Sequence, residues 1–215
     1  MNPSHSISKL TAADKPMFVS LMSKAFSNDP LFLYLFGNPQ QDSKASSRIT
    51  AFVSFMFDKS FLLHEEEAWG YFENDRLLGA YIIEKPHASR LQRIKGSLLL
   101  AGRLIPCLLQ LSGKTFGLLN SYMRATRAAA PSLSHYYLIM IAVRTDGQGR
   151  GIGKAMLQHL VRRASEDYTS HGVALDTENK ENVGLYRRFG FTLSSEAKVG
   201  HLPVYCMFYE SSSLS

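Results

Sequence analysis

The chain has 215 residues, 45% of them hydrophobic and 20% charged, the ordinary balance of a globular chain large enough to bury a core and organised as one domain, 1–215. The net charge is +6, yet Arg90, Arg93, Lys95, Arg103, Lys114, Arg124 and Arg127 lie between Pro86 and Pro131 with no acid among them, so the rest of the chain is slightly acidic. Basicity this local argues against a nucleic-acid partner and leaves three readings: a solvated helical face, an attractor for an anionic substrate or cofactor, or a peripheral membrane contact through 90–127.

The opening "MNPSHSISKLTAADK" lacks the basic start and apolar run of a secretory signal, and no uncharged apolar stretch reaches the ~18 residues of a spanning helix. A cytoplasmic chain without a transmembrane segment is therefore expected. "SISKL" predicts a first strand. "TAADKPMFVSLMSKAF" predicts a helix with Thr11 as N-cap, Asp14 in its first turn and Phe18, Leu21, Met22 and Ala25 on one face. "NDP" ends it, and "LFLYLF" reads as an aromatic-rich bridge. A second helix is expected from Asp42 or Ser43 towards His64, with Ile49, Phe52, Val53, Met56 and Phe57 inward and Glu65, Glu66 and Glu67 as its solvated end. "AWGYFENDRLLGAYIIEKP" predicts a hairpin about Asn-Asp. Residues 88–130 are leucine-rich and predict a helical stretch broken at Gly102, Pro106 and Gly113.

"HYYLIMIAV" (135–143) is the near-continuous apolar run of a strand covered on both faces. A glycine loop follows, then an amphipathic helix marked by Ile152, Met156, Leu157, Leu160, Val161 and Ala164. "GVALDTEN" predicts a strand, Asn179 caps a helix ending near Gly190, and "FTLSSEAKV" and "PVYCMFYE" close the chain as strands. The fold class expected is α/β (α+β), a mixed sheet with helices on its faces.

The loop "TDGQGRGIGKA" (145–155) carries glycines at 147, 149, 151 and 153 between a strand and a helix, the context in which backbone N–H groups hold an anion. A dinucleotide fingerprint fails in both registers, because Ile152 or Lys154 stands where the last glycine belongs. A Walker loop fails at Gln148 and Ala155. What fits is Gln148-x-x-Gly151-x-Gly153. With "NKENVGLYRRFGF" (179–191) downstream, the chain resembles the GCN5-related N-acetyltransferase (GNAT) superfamily over roughly 134–191. "AFSNDPLF" (25–32) is similar to the opening of many members, and the helical insertion at about 88–130 departs from the minimal pattern.

The resemblance implies a central mixed, mostly antiparallel sheet and acetyl-CoA as cosubstrate, with acetyl passing to a small-molecule or peptide amine by direct attack in a ternary complex. It implies that amides of Gln148, Gly149, Arg150, Gly151, Ile152, Gly153 and Lys154 grip the CoA pyrophosphate, with charge added by Arg150 and Lys154 unless these are solvent-facing cations. It implies main-chain pairing of pantetheine with Ile141, Ala142 and Val143, and contacts from Asn179 and Asn182, the former equally a helix cap. Tyr186 would protonate the leaving thiolate unless its ring simply packs. The base is open among His135, whose imidazole titrates near neutrality, and Asp176 and Glu178, alternating on the next strand; each has a structural role as its alternative. Asp29 reads as a turn residue before Pro30 that, like the acidic run at 65–67, could also draw in a cation.

Other chemistries find no footing. "HEEEA" at His64 lacks the second histidine of a zinc protease, no G-x-S-x-G elbow occurs, and Cys107 and Cys206 have no metal or redox spacing and read as core. No metal site is expected. Rival readings are a non-catalytic acyl-CoA sensor or scaffold and a membrane-surface acyltransferase docked through the basic helices, which would otherwise wall the acceptor site and favour a bulky or hydrophobic acceptor.

Overall fold

The computed structural model describes residues 5–63, 65–86, 105 and 109–211. Most of the basic leucine-rich insertion, with Arg90 to Arg103, the breaks at Gly102 and Pro106, and Cys107, lies outside the described residues. Alternating and β-branched runs become seven strands: β1 (His5–Lys9), β2 (Glu66–Glu73), β3 (Arg76–Glu84), β4 (Tyr136–Val143), β5 (Gly172–Thr177), β6 (Thr192–Val199) and β7 (Leu202–Glu210). They form one sheet in the order β1-β2-β3-β4-β5-β7-β6. Every neighbouring pair is antiparallel except β4 and β5. The mixed, mostly antiparallel sheet expected from the sequence is present.

Among the described residues, the helices on the two faces include α1 (Lys15–Ala25), α2 (Pro30–Phe36), α3 (Ala45–Leu62), α4 (Gly113–Ala129), α5 (Ile152–Glu166) and α6 (Lys180–Arg187). Phe18, Met22, Phe36, Ile49, Val53 and Phe57, from the first three, pack with Ala80 and Ile82 on one side. Met156, Leu160 and Ala164 of α5 pack with Tyr81, Ile83 and Val173 on the other. Helical periodicity in α1, α3 and α5 thus predicted the inward residues except Ala25, which is exposed at the end of α1, because one apolar stripe per helix is what a sheet face can bury. The hairpin turn is also as read, with Asn74 (φ 49°) and Asp75 (φ 61°) both left-handed.

Three expectations change. "LFLYLF" is no bridge: Asp29 caps it, its Oδ1 accepting from the N–H groups of Leu31 (3.0 Å) and Phe32 (3.2 Å), and Pro30 occupies the first helical position. Thr11 caps a short 3-10 turn, Ala12–Asp14, that precedes α1. The acidic run is not a solvated helix end. Glu66 and Glu67 are buried in β2, Glu66 paired with Lys59 and Glu67 with Lys9, Lys85 and Arg163. Burial of these carboxyls is tolerated because cations from four other segments meet them.

Candidate active site

β4 and β5 pair only from Tyr136↔Val173 to Leu138↔Leu175. Beyond that point β4 continues against β3 alone and β5 against β7, so the two parallel strands part. A bulge sharpens the parting: Ile82 pairs with Met140 and Ile83 with Leu138, which leaves Ile139 as an extra residue in β4. Ile141, Ala142 and Val143 therefore have no β5 partner on the gap side.

The glycine loop closes the far end of β4. Gly149 (φ 75°) and Gly151 (φ 80°) hold backbone angles that L side chains avoid, and a Cβ on either would meet nothing within 4 Å. Gly151 precedes α5 and offers no side chain as a cap, so the amides of Ile152, Gly153 and Lys154 open the helix without an intrahelical partner. Arg150 is held by Glu73 at 2.6 Å, and Arg76 by Asp146 at 2.7 Å, which ties the hairpin tip to the loop. The guanidinium of Arg150 is thus already neutralised, whereas Lys154 is exposed beside the open amides.

At the other end of the gap lies a cavity of about 270 Å³. Asp29 from the α2 cap, Tyr122 from α4, Tyr137 and Ile139 to Ile141 from β4, Asp176 from β5, and Glu178, Asn182 and Tyr186 from beyond β5 all line it. The Tyr122 hydroxyl sits between the carboxyls of Asp176 and Glu178, and the Tyr137 hydroxyl donates to the other Asp176 oxygen. A phenol has one proton, so it can donate to only one of two carboxylates at a time. The carboxyl left without that proton lacks a donor there, which favours its protonated form. The electrostatics agree: burial first and Asp176 second push Glu178 up to about 8. Burial also raises Asp176 and Asp29 above the usual carboxylate range, and drives the Tyr186 phenol far above a free tyrosine.

Of the residues picked from sequence, the fold brings together Tyr186, Asp176, Glu178, Asn182 and Ile141 around this cavity. Asn182 Nδ2 donates to Thr177 Oγ1 at 3.2 Å. Asn179 caps α6, its Oδ1 accepting from Glu181 N at 2.9 Å. Gln148 is exposed, with Nε2 3.5 Å from the Val143 carbonyl. His135 stands at the opposite, N-terminal end of β4, its Nδ1 2.5 Å from the Leu133 carbonyl, and does not line the cavity. Cys206 is buried, as read. Sequence reasoning missed Tyr122 and Tyr137, and did not give Asp29 its place in the cavity wall.

A family model described as the acetyltransferase (GNAT) family matches residues 39–191. The chain belongs to the GNAT family. An L-methionine sulfoximine/L-methionine sulfone acetyltransferase of Pseudomonas aeruginosa is 35% identical over 57 residues, which cover 26% of this chain and 33% of that one, so the match spans a third of the relative's length. Among solved structures, the chain is similar to the histone acetyltransferase HPA2 and related acetyltransferase from Corynebacterium glutamicum, with a TM-score of 0.70 at 20% identity over 100% of this chain and 99% of the other. It is similar to the PaiA N-acetyltransferase of Thermoplasma acidophilum, solved in complex with coenzyme A, with a TM-score of 0.56 at 11% identity over 96% and 99% of the chains. These likenesses are of fold. Among the described residues, no helix is long and apolar enough to cross a membrane.

Proposed function

We propose that this GNAT protein transfers acetyl from acetyl-CoA to an amine by direct attack within a ternary complex. The observation that carries the proposal is the continuous path from the open amides of Gly151 to Lys154, along the unpaired edge of β4, to the cavity at Tyr186 and Glu178. The residues present fit the cosubstrate: glycines with open space at 149 and 151 leave room for a pyrophosphate, and a helix N-terminus favours its charge. Bound acetyl-CoA supplies the activated acyl group. Asn182 and the main chain of Ile141 to Val143 orient its arm, and a free N–H on that edge polarises the acyl carbonyl.

Glu178 is the base favoured by its surroundings. A carboxyl poised at about 8 can take the ammonium proton from the acceptor near physiological pH and is strong enough to hold it. Tyr186, buried and lining the cavity, keeps its proton and stabilises the departing thiolate by donating a hydrogen bond to it, and the thiolate takes its proton from solvent. Thiol release from acetyl-CoA in the presence of an amine panel tests the proposal. Tyr186→Phe should lower kcat about a hundredfold or more while leaving acetyl-CoA affinity near wild type. A wild-type kcat in that variant removes Tyr186 from the reaction, and tight acetyl-CoA binding with no thiol release from any amine would favour a sensor.

A further inference from the structure

We infer that the acceptor is a small primary amine with a single cationic nitrogen on an apolar, ring-sized body, its ammonium seated among Asp29, Asp176 and Glu178 and its body against Phe26, Phe32, Phe52 and Phe55. The inference rests on the transferase reading above and names the substrate class of the same site. Three carboxyls from two segments, Asp29 at the α2 cap and Asp176 and Glu178 at the end of β5, line the cavity, and among the described residues none of them forms an ion pair. They do not converge as a metal-holding group. The Tyr186 hydroxyl faces the same space from a side chain only 7% exposed, with no hydrogen-bond partner among the described residues. An acid-rich cavity wall with a hydroxyl that has no partner among the described residues favours a ligand that brings positive charge and N–H groups.

The rest of the wall sets the body of that ligand. Phe26 stacks on Phe32 with centroids 4.8 Å apart, and Phe52 meets Phe32 edge-on at 5.7 Å, giving a phenyl surface with no polar atoms. The two cations that line the cavity are already used: Lys59 by Glu66, and Arg127 by Glu84 while it lies 4.4 Å over the Tyr137 ring. Among the described residues, an acceptor carboxylate would find no free cation in the cavity wall. A polyamine would need acids spaced along its length, and here they sit at one end. The volume of about 270 Å³ lies at the bottom of the ~300–1,000 Å³ range of small-molecule pockets and disfavours oligosaccharide-sized amines.

The test pairs calorimetric binding with thiol release on the full chain, using phenethylamine, spermidine and L-methionine sulfone. Phenethylamine should bind and be acetylated, the other two bind at least tenfold more weakly. Asp29→Asn should weaken phenethylamine binding about tenfold, the loss expected when a buried charge partner of an ammonium is removed. Asn caps a helix as well as Asp does, so α2 should survive, which circular dichroism checks. Preference for spermidine or L-methionine sulfone with thiol release overturns the inference and leaves the transferase standing. Unchanged phenethylamine affinity in folded Asp29→Asn also overturns it. Phenethylamine binding without thiol release refutes the transferase reading and retains the seat; neither binding nor release refutes both.

Discussion

Asp176→Asn separates the base from its neighbour. In the structure Asp176 and Glu178 share the Tyr122 hydroxyl, so their charges sit roughly 4–5 Å apart, and at an effective dielectric of ~20 two such charges repel by about 3–4 kcal/mol. Losing that repulsion, the Glu178 value should fall by about 1–2 units when Asn replaces Asp176. The sign follows from the like charge: removing it makes Glu178 easier to ionise. With a value near 8, Glu178 is only about 10% ionised at pH ~7, so the variant should have more active base there, not less. The assay is kcat against pH with acetyl-CoA and amine both saturating. The rising limb should move to lower pH by about 1–2 units, with a kcat at pH ~7 equal to or above wild type. A fall of about a hundredfold at every pH would instead make Asp176 the base, and an unmoved limb would show that neither carboxyl governs the rate.

Glu178→Gln should convert the same electrostatics into stability. The folded-state value, about 8, lies above the ordinary 4.5, so Glu178 contributes stability at low pH that is lost as pH rises through 8. The variant should melt increasingly above wild type from about pH 5 to about pH 9, as followed by calorimetry. Gly151→Ala forces a side chain into φ 80° but meets no atom, so strain alone should cost about 1–2 kcal/mol, a fall of about 2–8 °C in Tm, together with weaker acetyl-CoA binding. Gly172→Ala should be far worse, because its Cβ would lie 1.9 Å from the Tyr209 carbonyl oxygen; a loss of ~3 kcal/mol or more is expected in thermal melting.

What the sequence revealed was what local chain geometry can encode. Gln148 to Gly153 and Asn179 to Phe191 are contiguous segments whose spacing reports a strand–loop–helix and a helix with its caps, and the structure places both as read. The α2 helix was legible too, through Asp29 as cap and Pro30 at the first helical position, a start signal outweighed by the aromatic density of "LFLYLF". Tyr122 was not. It reaches Asp176 across 54 residues of sequence, and only the packing of α4 against β6 and β7 brings it there. The burial of Glu66 and Glu67 was hidden for the same reason, since their cations come from β1, α3, α5 and the end of β3.

The short pairing between β4 and β5 makes the sheet two panels hinged on a three-residue seam. On one side stand β1 to β4, on the other β5, β7 and β6. A molecule lying in the opening would act as a further strut between panels whose strands pair only at Tyr136 to Leu138. Cosubstrate binding should therefore slow amide exchange on both sides of the opening together, in the outer half of β4 and the end of β5, even where the molecule contacts only one of them. In this architecture, occupancy of the site and rigidity of the whole sheet are the same variable.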